Sequence, residues 1–298
     1  MRELLRAGLR RLSAPVAEAP RHPDGGRKAT VIAIATRKGG VGKTTTSVAL
    51  AAALARFHGR RVLLVDLDPQ GHVTTALKTI VAPTGTPLSQ VLLADRGAEV
   101  LDAISPTSIP NLWVTPYDPN LSAAEDILGS RIGKEMVLRD ALRITRTHFD
   151  VIVLDCPPNL GNLSLNGLVA ADRVLVPCDP SPLALNGVHA LVDAIETIAA
   201  RLNPDLDVMG VLLTRVDGRN TTVNDAIVKE IEKTYGHALM PVRIGVNSDL
   251  AKAQMEGRDI FAFAPDSRGA AQYRDLADHV AAVLPALPSS QVTDSVSG

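Results

Sequence analysis

The sequence predicts an α/β protein: a doubly wound, mostly parallel sheet with helices on both faces. Short apolar runs at residues 30–36, 61–66, 112–115, 151–155, 173–176 and 208–214 alternate with longer amphipathic stretches. These runs are apolar throughout rather than at every second residue, as strands covered on both faces must be. The glycine-rich stretch Lys38-Gly39-Gly40-Val41-Gly42-Lys43-Thr44-Thr45 follows the first run directly and opens an alanine-rich helical segment toward Phe57. Strand, glycine loop and helix in that order are the context a phosphate-binding loop needs. Right-handed crossovers then bring the functional residues to the carboxyl ends of the strands.

Each element of the loop has a physical task. Gly39, Gly40 and Gly42 let the backbone curl so that its N–H groups, with those of Val41 and Thr45, face phosphate oxygens, and the helix N-terminus adds positive partial charge. Lys43 neutralises the β and γ phosphates, and Thr44 ligates Mg²⁺. Lys38 precedes the glycines, from where it does not easily reach the same phosphates as Lys43. It either neutralises a different phosphate or is a solvated loop charge.

Two further strands deliver carboxylates. The run from Arg61 ends in Asp66-Leu67-Asp68-Pro69-Gln70-Gly71, where the two-residue strand period sets Asp66 and Asp68 on one face, toward the phosphates. Either acid alone could simply end a strand and begin a turn. Val151 to Asp155 is a buried strand delivering one carboxylate to a Mg²⁺ shell, and Pro157-Pro158 turns the chain out of the sheet immediately afterward.

Composition bounds the rest. A chain of 298 residues, 46% hydrophobic, buries the core of one large α/β domain, the simpler reading, or of two small domains, without disulfides or metals. Its two cysteines, Cys156 and Cys178, read as reduced packing residues in a cytoplasmic protein. No window approaches the roughly 18–20 apolar residues of a membrane span. The net charge is −1, yet residues 1–28 carry seven basic side chains against three acidic ones, near +4, which leaves −5 for the remainder. Leu4, Leu5, Leu9 and Leu12 recur among those arginines at helical spacing, so this arm reads as a basic amphipathic helix for DNA or a membrane surface, or as a disordered tail.

Four later runs are informative together: Asp68-Pro69-Gln70-Gly71, Asp155-Cys156-Pro157-Pro158, the stretch from Leu165 to Asp172, and Ser267-Arg268-Gly269-Ala270. With the two-lysine loop they resemble the successive signatures of ParA/Soj-type partition ATPases, P-loop NTPases of the deviant Walker A type in the ParA/MinD superfamily. The resemblance spans about residues 29–285, between a basic extension at 1–28 and a disordered tail at 286–298. It implies a weak ATPase with ATP and Mg²⁺ as cofactors, an ATP-bound homodimer on non-specific DNA, release by slow hydrolysis that a ParB-like partner stimulates, and a cytoplasmic, nucleoid-associated location. It further implies that Lys38 reaches across the dimer to the partner's nucleotide and that Asp68 positions the attacking water. Asp155, with Asp66 in support, would then complete the Mg²⁺ shell.

The DNA surface is less sharply written. Arg219, Arg243, Lys252 and Arg258 are candidate contacts, each also readable as a solvated surface charge. Asp249 stands where many chromosomal relatives carry a DNA-associated arginine, and Arg37 and His72 also depart from the usual residues. The alternatives are a MinD-like membrane-cycling ATPase and a metabolic ATPase or cluster carrier. Against the first, residues 285–298 lack a basic amphipathic face; against the second, the cysteines are poorly placed for a cluster. A guanine-specific Asn-Lys-x-Asp run is absent, which favours ATP.

Overall fold

The computed structural model describes residues 28–78, 85–95, 97–217 and 221–287, and most of the basic arm, Arg219 and most of the C-terminal tail fall outside them. The described residues form one eight-stranded sheet in the order β3-β4-β2-β5-β1-β6-β7-β8. Its strands are β1 (Thr30–Ile34), β2 (Val62–Asp66), β3 (Ser105–Pro106), β4 (Leu112–Val114), β5 (Val151–Asp155), β6 (Arg173–Cys178), β7 (Asp207–Val216) and β8 (Leu239–Gly245). Every pairing is parallel except β3 with β4. The six runs expected from the sequence are all strands, and β3 and β8 are added at the two edges.

Eleven α-helices complete the described residues. The first six are α1 (Lys43–His58), α2 (His72–Ala76), α3 (Leu88–Leu93), α4 (Leu121–Gly129), α5 (Val137–Ala141) and α6 (Asn162–Ala170). The others are α7 (Pro182–Arg201), α8 (Thr221–Tyr235), α9 (Ser248–Glu256), α10 (Ile260–Phe263) and α11 (Arg268–Val283). None is long and apolar enough to cross a membrane.

The central strands show why their sequences are continuously apolar. Val31, Ala33, Leu63, Val65, Ile152 and Leu154 enter one core, shared with residues of α3 to α8. Their neighbours Ile32, Ile34, Val62, Leu64, Val151 and Val153 enter a second core, shared with α1, α2 and α9 to α11. Each such side chain stabilises the fold by roughly 1.5–3 kcal/mol when fully buried, so a polar residue on either face would be disruptive. Helix α1 lies deepest: Leu50 to Leu54 are wholly buried, and its alanines let the helix approach the sheet closely.

Register decides where the functional residues fall. Ile34 pairs with Asp155, and Asp155 pairs with Asp66, so β1, β5 and β2 end level with one another. The loop after β1 and both strand-end acids therefore emerge at one carboxyl edge of the sheet.

Candidate functional site

The phosphate loop connects β1 to α1 and needs two left-handed residues to do so, Gly40 at φ 75° and Gly42 at φ 88°. A side chain at either would be strained, which is why the loop is written with glycine there. Gly42 is also the N-cap of α1, so the helix begins with Lys43 and directs its free N–H groups into the loop. Lys43 is buried, while Gly39 to Thr45 line a cavity of about 640 Å³.

Asp155 lies wholly buried behind the loop, held by the start of α1. The Thr44 hydroxyl donates to its Oδ2 at 2.8 Å and the Ser47 hydroxyl to its Oδ1 at 2.7 Å. Burial pushes the Asp155 carboxyl up, against the pull of those two hydroxyls and of the Lys43 charge. Ser47 is a residue the sequence reading passed over. The available signal was helical spacing, since positions three apart share a face and Ser47 follows Thr44 by three.

Asp66 and Asp68 divide their work. Asp66 accepts the Asp68 amide at 3.0 Å and the Val73 amide at 3.2 Å, while its own amide donates to the Thr115 hydroxyl at 2.9 Å. Its carboxyl thus shapes the turn that carries Asp68 and ties it to α2. Burial, and then the Asp155 carboxylate beside it, push Asp66 well above the usual carboxylate range. Asp68 accepts the Gln70 amide at 3.0 Å and itself faces the cavity.

The donor set fits Mg²⁺. One carboxylate and one hydroxyl at the loop offer hard oxygens in number suited to an ion that keeps waters and shares ligand phosphates. Among the described residues no group of three or more His, Cys, Asp or Glu could hold a metal without such help.

Lys38 points elsewhere. Its Nζ lies 2.7 and 3.0 Å from the two Asp179 carboxylate oxygens and 2.9 Å from the Ser181 hydroxyl, just beyond β6. The pair is partly exposed, and Lys38 does not line the cavity. Asp179 stands 141 positions away in sequence, so no local pattern could have announced it.

One strand further along the sheet, the end of β7 grips the loop. The Thr214 hydroxyl donates to the Val41 carbonyl at 2.7 Å, and Arg215 Nη1 donates to the Gly40 carbonyl at 2.9 Å. The cavity continues between these residues and the segment from Ile244 to Ser248, which ends β8 and opens α9.

Of the proposed DNA contacts, Arg219 lies outside the described residues, and the other three do not line this cavity and are each already engaged. Arg243 pairs with Glu232 at 2.6 Å, Lys252 with Asp249 at 3.5 Å, and Arg258 donates to the Ala262 carbonyl while lying over the Phe263 ring. Asp249 sits in the first turn of α9, where a negative charge suits the helix dipole. Its amide donates to the Asn247 side chain at 2.7 Å.

A family model described as an AAA domain matches residues 29–208. The sporulation initiation inhibitor protein Soj of Bacillus subtilis is 41% identical over 252 residues, covering 85% of this chain and 98% of Soj. The chromosome partitioning protein ParA of Caulobacter vibrioides is 38% identical over 252 residues, covering 84% of this chain and 93% of ParA. Among solved structures, one titled cobyrinic acid a,c-diamide synthase from Mycobacterium smegmatis, with bound ADP and magnesium, superposes with a TM-score of 0.69 at 36% identity. It covers 85% of this chain and 94% of that one. A two-lysine phosphate loop, an acid ending each of β2 and β5, and relatives aligned over nearly their whole length lead to one assignment. The chain belongs to the ParA/Soj family of partition ATPases.

Proposed function

We propose that this protein segregates DNA: ATP closes two copies into a sandwich dimer, the dimer holds non-specific DNA, and slow hydrolysis, stimulated by a ParB-like partner, releases it. The observation that carries this reading is the position of Lys38. It stands outside the cavity its own loop builds and is partly exposed, so on leaving Asp179 it can turn to phosphates bound by another copy.

Within each copy, the loop amides and Lys43 bind the phosphates of ATP, and Thr44 and Asp155 hold Mg²⁺. Mg²⁺, when bound there, would neutralise charge on the phosphates. Asp68 faces the same cavity and holds the attacking water in line, oriented by the turn that Asp66 braces. Ser47 keeps the Asp155 carboxylate aimed at Thr44. DNA is held by basic residues, Arg219, Arg243, Lys252 and Arg258 among them, and the complex works on the nucleoid in the cytoplasm. Residues 29–285 form the ATPase domain, and 1–28 and 286–298 flank it.

The name carried by the Mycobacterium smegmatis structure raises a second reading, ATP-driven amide synthesis. The Soj and chromosome partitioning ParA relatives, by contrast, are 41% and 38% identical to this chain and are matched over 98% and 93% of their own length. Partition is favoured on that ground.

The test is a Lys38→Ala protein. It should bind ATP as wild type does yet stay monomeric by light scattering, while wild type becomes dimeric with ATP and is retained on arbitrary DNA in a strongly salt-sensitive way. Wild type that binds DNA equally with ADP and ATP would overturn the switch.

A further inference from the structure

A half-exposed aromatic ring stands beside the turn that carries Asp68. Tyr117 follows β4, the neighbour of β2 in the sheet, and is 49% exposed. It does not line the nucleotide cavity, and its hydroxyl makes no hydrogen bond among the described residues. What its ring touches is a glycine. Gly71 ends the turn begun by Asp68, has a φ of 65° and is the N-cap of α2. A β-carbon placed on Gly71 would collide with Cγ, Cδ2 and Cε2 of Tyr117, so the ring lies directly against the Gly71 backbone. The left-handed conformation and the ring together leave room for glycine alone.

The segment after β4 holds that ring in place. The Thr115 amide donates to the Leu64 carbonyl at 3.0 Å, and the Thr115 hydroxyl accepts the Asp66 amide at 2.9 Å. The Tyr117 amide donates to the Thr74 hydroxyl on α2 at 2.7 Å. The Asp118 carboxylate then accepts the Ser89 amide at 2.7 Å and the Asn120 amide at 2.9 Å. With anchors before, at and after residue 117, the ring is a fixed platform rather than a mobile surface group.

The turn it presses on sets the direction of the Asp68 carboxylate. The Asp68 carbonyl accepts the Gly71 amide at 2.9 Å, and its Oδ1 accepts the Gln70 amide at 3.0 Å. A shift of Gly71 therefore moves the donor that orients the carboxylate. Asp66 holds the turn from within through the Asp68 and Val73 amides, and Tyr117 closes it from outside.

We infer that Tyr117 is a positioning residue for hydrolysis: by packing on Gly71 it keeps the Asp68 turn in the shape that aims the carboxylate at the attacking water. This rests on the ATPase reading proposed above and extends it to a residue outside the cavity. An aromatic ring suits the task because it is large and rigid and leaves its polar tip in water. Without the ring, Gly71 regains the wide φ, ψ freedom of glycine, and the Gln70 amide and Asp68 carboxylate drift with it. A misplacement of about 1 Å costs a reaction up to about 10²-fold in rate. The phosphate loop follows β1, two strands from β2, so nucleotide affinity does not depend on the ring.

The test separates binding from chemistry on the full chain with Mg²⁺. Calorimetry with a non-hydrolysable ATP analogue gives affinity, and γ-labelled ATP gives a single-turnover rate at protein concentrations where that rate has ceased to rise. Tyr117→Ala should lose roughly 5- to 50-fold in the single-turnover rate, with analogue affinity within about twofold of wild type. Tyr117→Phe keeps the ring and should hydrolyse within about twofold of wild type. Gly71→Ala, which forces the ring off from the other side, should show the same split between rate and affinity as Tyr117→Ala. Wild-type rates in either alanine variant would overturn the inference. So would rate and affinity falling together, which marks a general structural role, or Tyr117→Phe as slow as Tyr117→Ala, which makes the hydroxyl the working group. Wild type that binds the analogue yet never hydrolyses ATP would sink the ATPase reading itself, and this inference with it.

Discussion

The two ends of the chemistry on this molecule are built differently. At the phosphate loop the polar groups are held from inside: Thr44 and Ser47 on Asp155, Asp66 on two backbone amides, Thr214 on the Val41 carbonyl, all buried or nearly so. At the candidate DNA surface Arg243 and Lys252 lie half in solvent and pair with acids on the same face. Buried, hydrogen-bonded charge is position-specific, because moving it strands an unpaired group. Exposed ion pairs contribute only about 0–1 kcal/mol and exchange partners freely, so that surface can change without disturbing the site.

The contrast breaks most sharply at Asp155. An Asp155→Asn protein should lose roughly 10²–10³-fold in ATP hydrolysis, the scale of removing one preorganised electrostatic contact, while remaining folded by circular dichroism. Hydrolysis within tenfold of wild type would mean the metal is held elsewhere. At the outer surface, Arg243→Ala, Lys252→Ala and Arg258→Ala should each leave hydrolysis unchanged. Each that touches a phosphate should weaken ATP-dependent DNA retention several-fold and reduce the slope of log affinity against log salt by about one. A slope unchanged in all three single variants would put the DNA face elsewhere.

Lys38 belongs to neither end, and its pair with Asp179 tests the join between them. Freeing the lysine by Asp179→Ala should favour the ATP-bound dimer by roughly two- to fivefold, the scale of one partly exposed pair, as read by analytical ultracentrifugation. A weaker dimer would show instead that Asp179 travels into the interface with Lys38.

The same contrast explains what the sequence disclosed. The loop, Asp68 and Asp155 were legible because phosphate binding demands glycines at left-handed positions and acids at strand ends, both local patterns. The central strands were legible because burial on two faces leaves a continuous apolar run. Strand β8 was not, since Leu239–Gly245 is an edge strand with uneven burial and carries Pro241, a residue that reads as a break and is tolerated at an edge. Nor was β3, at two residues. Asp179 and Arg215 reach the loop only through the sheet order, and neither has a local signature.

The smallest expected effect concerns stability. Burial raises the carboxyls of both Asp66 and Asp155, and Asp155 raises Asp66 further, so the folded chain holds protons that the unfolded chain releases near pH 3.9. As pH rises through the raised folded values, the unfolded state binds fewer protons than the native one, and stability falls. The nucleotide-free protein should therefore lose thermal stability as pH rises from about 4, other groups aside, and Asp155→Asn should flatten that slope. An asparagine at 155 still accepts from Ser47 and can donate to the Thr44 hydroxyl, so it removes repulsion without stranding a partner. At pH 8 without Mg²⁺ its Tm should exceed that of wild type, by roughly 2–4 °C for each kcal/mol of repulsion removed. Mg²⁺ and ATP should reverse the order, because the charge that destabilises the empty site is the one that holds the metal. A variant less stable than wild type at pH 8 without ligands would show that the hydroxyl contacts outweigh the repulsion.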